Sequence, residues 1–422
     1  MQSPGILNLR KDMTESDKKQ RTHQIALLVA LSCVLQISES LIPHPIPGLR
    51  LGLANMLTLV ALIVLDFRTA LEIAVFRTLL SSLIIGTFMS PTFILSFSGA
   101  VISTFAMGFF YWLSCFHPRY RLSIFGISIV GALTHNMVQL YLAYLILVRH
   151  GGIFVFLPWL CFGAVFTGWV TGAVAGRVCR SIGELGVEKI IIERRSFSGP
   201  AFSHHIPGNS FLHRMQAETK IAALFFLALN ILIFSHFLFY AGLFFSLAAI
   251  IACSEISPRS LFSRVRKYRF LVVPGFFLPL FFNSDTQVLF SIFHFDITLE
   301  GLTAAGVFAF RILFLIILSA LMTMTTSPGE ITRGVEKLLS PLGHVGISEK
   351  RIAGILSLSW TAIPHIWETA RESIRAAELG KVRNLHKMIP LLSNLIAVLY
   401  LESEPESRHS VSKDPVPNSP KG

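Results

Sequence analysis

With 422 residues, 53% of them hydrophobic, 14% charged and a mean hydropathy of +0.64, the chain departs from ordinary soluble domains, in which about a quarter of residues are charged. The formal net charge of +12 lies largely in short connections between apolar runs, which points to orientation in a bilayer and excludes nucleic acid as the partner. Cys33, Cys115, Cys161, Cys179 and Cys253 stand singly, without CxxC or Cys/His ligand spacing. Packed thiols are therefore expected rather than a disulfide framework or a metal site.

Residues 1–22 form a polar tail carrying Arg10, Lys11, Lys18, Lys19 and Arg21, and the first apolar run after it reads as an uncleaved span. Six runs follow near 24–39, 53–65, 69–85, 92–113, 122–148 and 155–178. With the tail inside, the cytoplasmic loops carry Arg68, then Arg119 and Arg121, then Arg177 and Arg180; the external loops carry only Arg50 and Arg149. This modest bias places six spans in the plasma membrane with the N-terminus cytoplasmic.

Residues 182–213 are polar, basic and rich in Gly, Pro, Ser and His, and read as a linker. A second membrane unit occupies 214–401, with apolar runs near 221–235, 237–253, 270–282 and 302–324, and Pro274, Gly275 and Pro279 kinking the third. Its basic loop 254–269 is expected inside and its acidic loop 283–300 outside. Pro328-Gly-Glu330 makes a helix start, and a longer amphipathic helix runs from about Ser348 to Gly380, with Ile355, Leu358, Ala362, Ile366 and Ala370 on one face. That helix either lies on the membrane surface or packs against a partner. Residues 388–401 would rise only about 21 Å as a helix and are read as interfacial. Residues 402–422 form a polar tail expected to be disordered. The fold class is all-α and polytopic.

The stretch Glu39–Asn55 is singled out by Pro43, Pro45 and Pro47, which forbid a regular helix, and by Glu39, Arg50 and Asn55 at the edges of apolar runs. It reads as one wall of a small-molecule site on the external side. Ionisable groups at bilayer depth cost about 2.5–3.5 kcal/mol on insertion scales and normally face a cavity or a partner. Those in the first unit are Glu39, Glu72 and Arg77, beside the polar run His135, Asn136 and Gln139, where His135 and Gln139 share a helix face. For these the alternatives are a binding site or hydrogen-bonded glue between helices. Glu72 is expected to pair with Arg68 four residues away, and Arg311 to pair within its bundle. Gly168, Gly172 and Gly176 form a double GxxxG that permits close helix approach; Ala26 and Ala30 are a weaker pair.

Catalytic signatures are missing. No G-x4-G-K-[ST] occurs, since Gly380-Lys381 is followed by Val382, so the chain is not its own P-loop ATPase. None of the aspartates are close enough in sequence to form the paired clamp for Mg²⁺ that prenyl diphosphate chemistry requires. We expect no enzyme, no catalytic residue, no metal and no cofactor.

Residues about 24–180 resemble the Gx transporter family, also labelled heptaprenyl diphosphate synthase component I and similar to the substrate-binding S components of energy-coupling-factor (ECF) transporters. The carrying residues are Glu39-Ser-Leu-Ile-Pro43, Pro47-Gly-Leu-Arg50-Leu-Gly-Leu-Ala-Asn55, Phe76-Arg77 and Leu133-Thr-His135-Asn136-Met-Val-Gln139. Residues about 210–400 resemble the transmembrane T component of the CbiQ and EcfT type, on His213-Arg-Met-Gln-Ala-Glu-Thr-Lys220, Thr326-Ser-Pro-Gly-Glu330, Ile363-Pro364 and Ile374-Arg-Ala-Ala-Glu-Leu-Gly380.

Together these resemblances imply a six-helix S-component-like bundle at 23–181 and a T-component-like unit with cytoplasmic coupling helices at 214–401. The implied S unit binds a small organic solute, vitamin-like or prenyl-related, through Glu39, Arg50, Asn55, Arg77, His135, Asn136 and Gln139. It would topple against the T unit, driven by separate ABC-type ATPases. Where the family carries Ala-Arg-Gly this chain reads Glu378-Leu379-Gly380, so Arg371, Arg375, Glu378 and Gly380 are the coupling candidates. The alternatives are an accessory membrane subunit of a prenyl diphosphate synthase system, and an ion-driven secondary transporter.

Overall fold

A computed structural model of the chain describes residues 15–41, 52–116, 122–149, 151–185, 206–267, 288–292, 295–340 and 349–376, with short helical pieces between 272 and 281. Several expectations fall outside those residues: the prolines between 43 and 47, Arg50, most of the run 270–282, Glu378, Gly380, and the segments 388–401 and 402–422.

The first six helices follow the six apolar runs: α1 (Glu15–Leu41), α2 (Leu53–Val64), α3 (Phe67–Ile85), α4 (Pro91–Phe116), α5 (Ile124–Leu142) and α6 (Leu157–Leu185). α1 begins seven residues before the expected end of the tail, because the Glu15–Arg21 segment contains good helix formers and its end is anchored. The anchor is Arg21, which pairs with Asp66 at the amino end of α3. Asp66 also caps α3 by accepting from the Thr69 amide at 2.7 Å. α5 does not run regularly to 148: it widens into a π-helical turn at Ala143–Val148, closed by Arg149 in the left-handed region (φ 51°). A 3₁₀ segment, Gly151–Phe156, leads into α6.

The second half contains α7 (Phe211–Arg214), α8 (Ala217–Ile233), α9 (Phe237–Ala252), α10 (Pro258–Lys267), a hairpin of β1 (Val288–Ile292) and β2 (Phe295–Thr298), then α11 (Leu299–Thr325), α12 (Pro328–Leu339) and α13 (Glu349–Ala376). The hairpin lies where a plain loop was expected; its antiparallel strands are rich in aromatic and β-branched residues and pair Ser291 with Asp296 and Ile292 with Phe295. Its last residue, Thr298, caps α11 through the Gly301 amide at 3.0 Å. α12 starts with Pro328 and Glu330 in its first turn, as the sequence predicts, and Ser327 and Glu330 add a capping box.

Among the described residues, five helices are long and apolar enough to cross a membrane: Arg21–Glu39, Pro91–Cys115, Ile124–Val148, Gly151–Ser181 and Leu299–Thr325. α8 and α9, of 17 and 16 residues, rise only about 25 Å and fall short of a ~30 Å hydrocarbon core. Large apolar side chains such as Phe105, Phe109 and Trp112 on α4 and Trp159, Phe162 and Phe166 on α6 face outward, as lipid contact demands. The protein is an all-α polytopic membrane protein.

Among the described residues the two halves meet along three seams, one of them where Leu147 at the end of α5 packs on Phe308, Ile312 and Ile316 of α11. α13 lies on α1: Ile355, Leu356, Ile363 and Ile366 join the core built from α1, α2, α3 and α6, and Ser359 Oγ donates to the Ala26 carbonyl at 2.9 Å. Ala26 and Ala30, the weaker small-residue pair in the sequence, are buried at this contact region. The second seam joins Phe88 and Phe93 to the core of α8, α9, α11 and α12, with Ser319 Oγ donating to the Gly86 carbonyl at 3.2 Å.

Candidate functional site

Ser32, Gln36 and Glu39 follow one another by four and three residues, so α1 presents them on one face. Arg77, only 3% exposed at the middle of α3, meets that face. Its Nη1 donates to Gln36 Oε1 at 3.2 Å, and Nη2 donates to Asn55 Oδ1 at the start of α2. Glu39, 4% exposed, turns instead to the backbone and accepts from the Gly52 amide at 2.7 Å. Gly52 stands in the left-handed region (φ 74°), which lets its N–H point back at α1 while α2 begins at the next residue. The site thus gathers a guanidinium, a carboxylate and two side-chain amides within an apolar core. Ser32 Oγ and Thr58 Oγ1, both buried on the same two helices, have no hydrogen-bond partner among the described residues. Buried hydroxyls are normally satisfied, so they leave unused capacity in the α1–α2 layer.

A second polar group lies on α5. The Gln139 amide nitrogen is 3.0 Å from His135 Nε2, and both side chains press on Gly99 of α4, where a Cβ would sit 3.0 Å from the imidazole. Asn136 points the other way and donates to the Leu160 carbonyl of α6 at 3.1 Å. Two turns earlier on α5, Ser128 shares a hydrogen bond of 2.8 Å with Thr171 of α6, and Thr171 also approaches Gly52.

The structure therefore brings Glu39, Asn55 and Arg77 together through Gln36 and Gly52, and pairs His135 with Gln139 on α5. Asn136 serves a helix–helix contact. Gln36, Ser32 and Thr58 are additions to the sequence reading. Their signal was the i, i+4, i+7 spacing up to Glu39 and the i, i+3 spacing from Asn55 to Thr58.

One expectation is corrected. Glu72 pairs with Arg351 Nη2 of α13 at 2.8 Å, not with Arg68. The α13 guanidinium reaches the half-buried Glu72, and Arg68 is solvent-exposed. On the coupling side, Arg371 is exposed on α13 and Arg375 lies in that helix's last turn. α12 is fixed to α8 by Lys337 Nζ to Glu218 Oε1 at 2.6 Å. Lys220 Nζ meets the Thr325 carbonyl at 2.9 Å and Thr326 Oγ1 at 3.2 Å, holding the carboxyl end of α11 where α12 begins. Among the described residues no cluster of three His, Cys, Asp or Glu could hold a metal ion.

Known proteins match both halves. Residues 28–178 match the family described as heptaprenyl diphosphate synthase component I, and residues 208–405 match the family described as cobalt transport protein. The energy-coupling factor transporter transmembrane protein EcfT of Exiguobacterium sibiricum is 32% identical over 214 residues, covering 47% of this chain and 79% of that relative. The protein of that name from Thermosediminibacter oceani is 30% identical over 196 residues (44% and 74%). That of Bacillus subtilis is 26% identical over 208 residues (47% and 78%).

Proposed function

The chain belongs to the energy-coupling factor transporter EcfT family, a membrane component of transporters and not an enzyme family, and from that premise we propose that it combines a solute-binding unit and a coupling unit in one polypeptide for uptake of a small organic solute. The solute is vitamin-like or prenyl-related. The binding unit is residues 23–181, the linker 182–213 and the coupling unit 214–401, between cytoplasmic termini in the plasma membrane. Separate ABC-type ATPases supply the energy by docking on the cytoplasmic helices, with Arg371, Arg375, Glu378 and Gly380 as the coupling residues.

The observation that carries this reading is the seat of α13 on α1. A helix of the half that matches the cobalt-transport family lies along the first helix of the other half, held by Ser359 on Ala26, by Arg351 on Glu72 and by the shared core of Ile355 and Ile366. Such a contact supports transmission of a movement from a cytoplasmic motor to the binding unit. For the solute itself, Arg77, Asn55, Glu39 and Gln36, with the Ser32 and Thr58 hydroxyls, form the better-developed cluster; His135 and Gln139 form the second wall.

The description of the family matched by residues 28–178 favours one other reading, an accessory membrane subunit of a prenyl diphosphate synthase system. Pull-down of the detergent-solubilised chain with ABC-type ATPases from the same genome separates the two. Retention of the ATPases supports the transporter; clean absence of association, with altered prenyl synthase activity on co-expression, supports the accessory subunit.

A further inference from the structure

Arg311 sits at the middle of α11, the most hydrophobic span, and is 1% exposed. A charge at that depth is costly unless it is fully engaged. What surrounds it is the meeting of two helix carboxyl ends. α8 stops at Ile233, short of a full crossing, and the π-helical turn of α5 stops at Val148. Each end leaves carbonyls without an intrahelical donor and carries partial negative charge.

The three nitrogens of Arg311 divide between these ends. Nε donates to the Ile231 carbonyl at 3.2 Å and lies 3.4 Å from Tyr240 Oη; Nη2 meets the Phe234 carbonyl at 3.4 Å and Ser235 Oγ at 3.2 Å. All of these belong to the α8–α9 corner. Nη1 alone reaches the other half, donating to the carbonyls of Ile146 at 2.9 Å and Leu147 at 3.3 Å. The corner does not depend on Arg311 for its shape. Tyr240 Oη independently bonds the Ile231 and Phe234 carbonyls, each at 3.0 Å, and its ring stacks on Phe314 of α11 with centroids 6.0 Å apart. From the opposite side Arg149 Nη2 reaches the Leu232 carbonyl at 2.8 Å and Nη1 reaches Ser235 Oγ at 3.2 Å.

We propose that Arg311 is the positioning residue that sets the resting orientation of the first half against the membrane helices of the second: a releasable latch, bracketed on the α8–α9 corner through Nε and Nη2 and gripping the π-helical end of α5 through Nη1. A planar guanidinium is needed for this. Lysine offers one charged nitrogen and cannot hold both helix ends in that geometry. When the latch opens, Arg311 keeps its corner partners, so the charge is never stranded in the bilayer. The π-helical turn, a local irregularity of a kind concentrated at functional sites, supplies the carbonyls to be gripped. The inference rests on the two halves moving relative to one another, as the transport reading requires.

The test uses the full chain in lipid nanodiscs, with the native cysteines replaced and nitroxide pairs introduced for distance measurement by electron paramagnetic resonance. An outer pair at Val155 and Leu238, 68% and 83% exposed, spans the latch. An inner pair at Lys19 and Thr361, both exposed, spans the α1–α13 seam. The parent gives one distance population for each pair. Arg311→Lys is expected to shift or split the outer population and leave the inner one unchanged. An outer distance unchanged in Arg311→Lys overturns the proposal, as does equal disturbance of both pairs, which marks general loosening. If Arg311→Lys yields no monodisperse protein, the neutral Arg311→Gln, which leaves no charge at that depth and cannot span both helix ends, decides by the same criteria. The distances need neither solute nor ATPase, so they stand or fall separately from uptake and from ATPase retention.

Discussion

Arg77 is the residue on which the proposed solute site turns. Its guanidinium lies between two amide oxygens, Gln36 and Asn55, in a layer that also holds the hydroxyls of Ser32 and Thr58. Native mass spectrometry of the parent is expected to show a co-purifying small molecule, and Arg77→Met is expected to lack it while still eluting as a single species. Retention of that molecule in Arg77→Met would move the site to His135 and Gln139. The sequence exposed Glu39 and Arg77 because a charge inside an apolar run is conspicuous. It did not expose Gln36 or the two hydroxyls, since neutral polar residues are common in spans and matter only once a neighbour is known. The true partner of Glu72 was equally hidden. Arg351 lies 279 positions away, and the local Arg68 offered the only pairing that spacing could propose.

At the scale of elements, helix existence followed from hydropathy, whereas packing did not. Gly168 and Gly172 are needed for close approach of α6 to α5: a Cβ at Gly168 would come to 2.7 Å from the Ile129 Cα, and at Gly172 to 3.0 Å from the Phe125 Cα. Gly176, the third member of the same motif, faces nothing within 4 Å. Gly168→Ala should therefore lower stability by about 1–3 kcal/mol through forced displacement of backbone. Gly176→Ala should be neutral or stabilising by about 0.5–1 kcal/mol. Thermal unfolding in detergent micelles reads both, and equal effects would contradict this packing. Amphipathicity identified α13 but left its partner open between membrane surface and protein, because an apolar stripe carries no address. The π-helical turn went unread because it interrupts a continuous apolar run, and the β-hairpin because its two short strands lie in a loop that the sequence marked only by its acidic charge.

The link between α8 and α12 adds a pH dependence. Its hydrogen bond from Lys337 holds the Glu218 carboxyl below its ordinary value of 4.5. A carboxylate whose folded pKa is depressed contributes stability that is fully present above the unfolded value and lost as pH falls through the folded one. Lys337→Met should therefore be less stable than the parent near neutral pH, with the difference closing as pH is taken well below 4.5. A difference that persists unchanged at acid pH would assign the effect to packing of the lysine stem instead.

For the whole molecule, membrane insertion and the two-part organisation were legible from composition and from two separate stretches of familiar motif, matched by residues 28–178 and 208–405. How the parts touch was not legible, because the seams are made by residues remote in sequence: Ser359 with Ala26, Ser319 with Gly86, Arg311 with Ile146. On the proposed function, those contacts would let one polypeptide do what a binding subunit and a coupling subunit otherwise do together. The central claim is therefore one of stoichiometry. Native mass spectrometry of the complex purified after co-expression with ABC-type ATPases of the same genome measures it most directly. The account predicts a particle containing this 46.8 kDa chain and the ATPases, with a small molecule bound and no further solute-binding subunit. A chain recovered without ATPases, or a particle that incorporates a separate solute-binding subunit, would contradict it.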